Sequence, residues 1–216
     1  MPDESAELSE ELRSRIELEA RDKGRLETFI DGVFAIAITL LGLDFVLPEF
    51  QHSNAALTDF LIALYPKFLG YFLAFFLLGM LLSTSWRQFQ NIRYADWMLY
   101  WINVLHLAFI VLVPFATSVL TEFADTTSGV LFFHGVIFLS VLMLNFNWLH
   151  AERRPYLLKK DITARTITRM RYRNIALLTA SVVAIALAFF TPVLSNLAYL
   201  LIIFAMITSP IFMRKG

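Results

Sequence analysis

The chain has 216 residues, 58% of them hydrophobic and 17% charged, with 18 acidic and 18 basic side chains and no cysteine. Soluble domains run about 45–50% apolar and about 25% charged, so this composition argues against one. The missing cysteines exclude disulfide scaffolds, thiolate metal sites and thiol nucleophiles, and the zero net charge excludes a globally basic nucleic-acid binder.

Residues 1–24 are polar and acidic, without the apolar run of a secretory signal. Leu8, Leu12 and Ile16 are spaced for a weakly amphipathic helix, and a solvated tail fits the composition equally well. A helix that crosses a bilayer needs roughly 20 apolar residues. Six segments reach or approach that length, at about 26–47, 60–82, 97–120, 130–149, 174–192 and 197–213. The expected fold is therefore an all-α membrane protein, with a six-helix transmembrane domain over 25–213. Prolines at Pro114 and Pro210 mark expected kinks in the third and sixth spans.

With the N-terminus in the cytoplasm, every Lys and Arg except Lys67 falls on the inner side, and the outer loops hold Glu49, Asp59, Glu122 and Asp125. This asymmetry predicts an N-in, C-in topology. Lys67 can snorkel to the outer interface. The loop at 151–173 is basic and is expected to lie against the anionic inner lipid surface rather than on nucleic acid.

Ionisable groups within spans are costly and mark candidate sites. The first span holds Arg25, Glu27, Asp31 and Asp44. Arg25 is at the inner interface, and Asp31 is about 9 Å deeper at 1.5 Å per residue, too deep for so short a side chain to reach water directly. Ile36, Leu40, Leu43 and Leu47 share one helical face, which Gly32 and Phe29 continue inward and Thr39 borders. Glu27, Asp31, Phe34, Ile38, Leu41 and Phe45 fall on the opposite face, so Asp31 is expected to be buried against the bundle. Asn103 and His106 lie at comparable depth in the third span, and Ser83, Thr84, Ser85, Asn145, Asn147 and His150 end the neighbouring spans. These groups fit either a polar network around Asp31 or bonds that simply lock helices together. Asp44 reads as a vestibule charge or an interfacial polar residue.

Four scattered histidines have no metal-ligand spacing, and no nucleotide, hydrolase or metalloprotease motif occurs, so neither a resident metal, a cofactor nor an enzyme is expected. The sequence around Gly70-Tyr71 does not match a carbonyl selectivity filter.

The stretch from Arg25 through Phe29, Asp31, Gly32, Ile36 and Thr39 to Asp44 closely resembles the signature of the transmembrane protein 175 family, Arg-x-x-x-Phe-Ser-Asp followed by Gly-Val-Phe-Ala-Ile-Ala-Ile-Thr-Leu-Leu. Val113-Pro-Phe-Ala-Thr-Ser118 is similar to the family's Pro-Phe segment. Two positions depart from the pattern. Ile30 replaces the motif serine, and Leu82-Ser-Thr-Ser-Trp86-Arg87 replaces a Trp-x-x-His-His-like run, for which Trp86, Ser83 and Asn103 are candidate substitutes.

The resemblance implies a potassium-permeable cation channel that also passes protons in animal members. It implies a homotetramer of single six-helix repeats in a prokaryotic cell membrane, with the first helix of each subunit lining the pore. It maps the constriction onto Ile36, further pore layers onto Leu40, Leu43 and Thr39, and a structural motif onto Arg25, Phe29, Asp31 and Gly32, with Asn103 and His106 behind it. Asp44 and Glu49 would then stand in the outer vestibule. The rival readings are a carrier, for which Pro114 and Pro210 suggest a three-plus-three repeat, and a non-conducting scaffold or sensor in which the Ile/Leu stripe is ordinary packing.

Overall fold

The computed structural model of the chain describes residues 23–46 and 54–199. Nearly all of the 1–24 segment, Glu49, and the sixth predicted span beyond residue 199 lie outside the described residues.

Among the described residues, five helices are long and apolar enough to cross a membrane. Helix α1 (Lys23–Asp44) closes on a tight 3-10 turn, Leu41–Asp44. A shorter α2 (Asn54–Ala63) is broken at Leu64 from α3 (Tyr65–Asn91), whose Pro66 sits in the first turn, where no amide donor is needed. The remaining helices are α4 (Trp97–Glu122), α5 (Thr127–Glu152), α6 (Ala164–Ala188) and the short α7 (Pro192–Ser195).

The helix starts follow local chemistry. Asp96, Thr126 and Thr163 each cap a helix by accepting a backbone N–H, from Leu99 at 2.8 Å, Gly129 at 3.2 Å and Thr166 at 3.2 Å. The turn between α4 and α5 is tight enough to require glycine at 129, where a Cβ would lie 2.7 Å from the Phe123 Cβ and 2.9 Å from its carbonyl oxygen. Helix α4 continues through Pro114, and the Ser118 hydroxyl bonds the Pro114 carbonyl at 3.2 Å.

Two helices run beyond their hydropathy limits. Helix α3 continues past Leu82 to Asn91, because Thr84, Ser85 and Gln88 are buried rather than solvated. Helix α6 begins at Ala164, so the later part of the basic 151–173 segment is helical.

Helices α4 and α5 form the largest interface, and α5 with α6 and α3 with α4 complete the bundle. Its core is aliphatic and aromatic, with Leu77 and Leu81 of α3, Ile110 of α4, Phe133 and Val141 of α5, and Leu177 of α6. A second cluster, built on Ile92, Trp148, Leu157 and Met170, closes the end that carries Arg87, Arg93 and Arg154. At this basic end Asp96 accepts from His150 Nε2 at 2.9 Å and Arg154 Nη1 at 3.0 Å. Partial burial raises the Asp96 pKa, but the Leu99 amide and these two partners outweigh it and hold the carboxyl below its ordinary range.

Candidate functional site: the uncovered face of the first helix

Helix α1 buries one stripe, Leu26, Ile30, Phe34, Ala37 and Leu41, at the three- and four-residue spacing of a single helical face. Ile30, which stands where the motif has serine, is a core residue at 1% exposure, and its side chain fills the joint with the bundle.

Among the described residues nothing covers the other stripe. Ile36 is 59% exposed, Leu40 38% and Leu43 70%, and Phe29, Gly32 and Thr39 are exposed with them. A Cβ placed on Gly32 or Gly42 would meet no atom within 4 Å. Only 28% of the helix's most apolar window is buried, against 39–50% in the other four described spans, so among these α1 is the least covered. The Thr39 hydroxyl donates to the Ile36 carbonyl at 2.8 Å, which keeps that hydroxyl against its own helix.

Asp31 is exposed at the rim of the bundle instead of buried in it. The reason is angular: it follows the buried Ile30 by about 100° around the helix, which turns it off the packed stripe. Its Oδ1 accepts from Trp86 Nε1 of α3 at 2.6 Å. Arg25 shares a cleft of about 530 Å³ with Phe29, Asp96, Trp97 and Tyr100, between α1 and the start of α4. At the other end of α1, Asp44 accepts from the Ser118 hydroxyl of α4 at 2.6 Å, which anchors the last turn.

The polar groups expected to surround Asp31 serve other partners. Asn103 donates to Asn147 Oδ1 at 2.7 Å, Asn147 to Gln88 Oε1 at 2.7 Å, and Gln88 to Asn174 Oδ1 at 3.3 Å. This buried amide chain links α4, α5, α3 and α6. Ser83 and Thr84 accept from the buried Arg173, at 3.3 and 2.9 Å. His106 bonds the Ser140 carbonyl through Nδ1 at 3.0 Å, and its ring faces Phe34 of α1, with centroids 5.8 Å apart. Asn103 and His106 therefore stiffen the wall on which α1 rests and do not bond the carboxylate. Sequence reading missed Gln88, Asn174, Ser118 and Ser140. For Gln88 a signal existed, since Thr84 and Gln88 are four apart and share a face with Leu77 and Leu81.

A helical multi-pass membrane protein whose first span presents an unpaired aliphatic face is the class this geometry defines. The profile of the family described as endosomal/lysosomal potassium channel TMEM175 matches residues 25–114, which takes in α1 through the proline of α4. A potassium channel of Streptomyces collinus is 32% identical over 157 residues, covering 70% of this chain and 76% of its own. The chicken endosomal/lysosomal proton channel TMEM175 is 33% identical over 57% of this chain and 26% of its own length. The crystal structure described as a lysosomal potassium-selective channel TMEM175 homolog from Chamaesiphon minutus superposes with a TM-score of 0.73 at 25% identity, over 85% of this chain and 95% of that one. The chain belongs to the TMEM175 family, a family of ion channels and not of enzymes.

Proposed function

We propose that the chain is one subunit of a potassium-permeable cation channel, in which the α1 helices of four copies line a pore through the cell membrane of a prokaryote. The observation that carries this reading is the uncovered stripe Ile36–Leu40–Leu43 on a helix whose opposite stripe is fully packed. Lipid could cover an Ile/Leu stripe, but it suits the inner end of that face poorly, because Arg25 is exposed there too.

In the proposed pore the narrowest ring is Ile36, with Leu40 and Leu43 as further layers and Thr39 beside them. Aliphatic side chains cannot replace a hydration shell as carbonyls do, so the ring gates by dewetting and passes ions when it widens enough to stay wet. Selectivity then reflects the cost of partial dehydration and is modest. The basic end of the bundle is cytoplasmic on this reading. Of the acidic groups assigned to the outer side, Glu122 is paired with Lys67 at 2.6 Å, whereas Asp44, held by Ser118, ends the pore-lining helix itself and would attract cations to the mouth.

The test is potassium flux from proteoliposomes driven by a potassium gradient, repeated with sodium and with a proton-sensitive dye. A channel gives flux that is weakly saturable and persists in the cold. Saturation with counterflow would make the protein a carrier, and no flux from tetrameric, folded protein would make it a scaffold.

A further inference from the structure

We propose that Ser118 is a positioning residue for cation entry. From α4 it holds Asp44 at the end of α1 with one carboxylate oxygen bound and the other left free for an incoming cation. Resting on the pore reading of α1, this gives the mouth a residue that lies outside the pore-lining helix.

The last turn of α1 sorts its side chains by direction. The 3-10 turn Leu41–Asp44 runs at three residues per turn, so consecutive side chains leave it about 120° apart. Leu43 is 70% exposed on the uncovered face. Phe45, which follows the turn, packs on Phe68 and Tyr71 of α3, with ring centroids 4.8 and 5.4 Å away. Asp44 stands between them in sequence and turns to α4, where its Oδ2 accepts from the Ser118 hydroxyl at 2.6 Å. The end of the helix is thus fixed to two neighbours, and a negative charge is fixed next to the last aliphatic layer.

The two oxygens of Asp44 are unequal. The Ser118 hydroxyl also lies 3.2 Å from the Pro114 carbonyl, but its single proton favours the shorter contact and the charged acceptor. Oδ1 has no hydrogen bond and no cationic partner among the described residues. Glu122, on the same side, has its charge offset by Lys67 at 2.6 Å. Asp44 is half-buried, so a donor from the protein replaces water that it lacks on the α4 side. The bond also removes rotamer freedom, which holds the charge beside the mouth. A charge fixed there raises the local cation concentration, and salt screens the effect. Without Ser118 the same charge is present but turns among several rotamers, and the attraction at the mouth weakens.

The test is single-channel conductance in neutral phosphatidylcholine bilayers. It is measured at about 10 mM potassium, where the Debye length is about 30 Å, and at about 1 M, where it is about 3 Å. The readout is the ratio of the low-salt to the high-salt conductance. S118T and S118V are matched in shape and differ by the hydroxyl. S118T should keep the parent ratio, S118V should lower it about threefold, and D44N should lower it at least as far. A purely structural defect scales both conductances alike. An unchanged ratio in S118V with a lowered ratio in D44N therefore overturns the role of Ser118 and leaves Asp44 at the mouth. An unchanged ratio in D44N takes Asp44 off the mouth and overturns the role of Ser118 with it. Equal losses in S118T and S118V also overturn it, because shape rather than the hydroxyl would then matter. A folded parent that does not conduct removes the pore reading and this role together. Should S118V fail to reconstitute, S118A carries the same comparison.

Discussion

Replacing Ile36 with asparagine is expected to raise potassium flux about tenfold and to erode discrimination against sodium. A dewetted ring is a barrier because water and ions find no partner on its walls. An amide at each of four symmetry-related positions lets water persist there, and a barrier lowered by ~1.4 kcal/mol gives a tenfold rate. The change should leave the fold intact, because Ile36 is 59% exposed in the chain and makes no part of its core. Proteoliposome flux with potassium and sodium measured separately is the check. A mutant with unchanged flux and unchanged selectivity would remove Ile36 from the constriction and leave Leu40 or Leu43 in its place.

The second large effect is expected at Asp31. Its bond from Trp86 Nε1 ties the inner half of α1 to α3, whereas Asp44 and Ser118 tie the other end to α4. Removing the carboxylate in Asp31→Ala frees the inner half of the helix that would line the pore, and should lower potassium flux about tenfold or more, with loss of tetramer on size exclusion. A hydrogen bond to a charged acceptor is worth about 1.5–3 kcal/mol, enough for that factor. Asp31→Asn keeps an acceptor oxygen and should retain part of the flux. Trp86→Phe keeps the ring and loses the donor, so it should reproduce part of the alanine effect. The double variant D31A/W86F should be little worse than D31A alone, because both changes remove one shared bond. Fully additive losses would mean that Asp31 acts through some other partner.

These two residues also mark how far the sequence could be read. The uncovered stripe was legible because helical periodicity alone puts Ile36, Leu40 and Leu43 on one side, and the helix needed only a packed opposite side to leave that one open. Periodicity does not say where the packed stripe is centred. It is centred on Ile30, Phe34 and Ala37, so Asp31 is at the rim and its partner is an indole 55 positions away in the chain. The five described spans were legible from apolar length, but the end of α3 and the start of α6 were not. Hydropathy averages treat Thr84, Ser85, Gln88 and Arg173 as solvated, and the fold buries them, with Arg173 donating to Thr84 and Gln88 to Asn174. Asn103 and His106 were legible as polar groups that either surround Asp31 or lock helices together, and their bonds to Asn147 and Ser140 fit the locking; depth along a span does not fix which neighbour a side chain meets.

The central claim is that the uncovered face of α1 meets water inside a conducting pore. The chain has no cysteine, so single cysteines at Ile36, Leu40 and Leu43 can be placed on an otherwise unreactive background. A membrane-impermeant, positively charged thiol reagent modifies the thiolate, and thiolates form only where water reaches. The account predicts that this reagent suppresses potassium flux in the cysteine variants of Ile36, Leu40 and Leu43, and leaves flux untouched with cysteine at Val182, an equally exposed position on α6. Persistent potassium flux with no modification at any of the three α1 positions would contradict it.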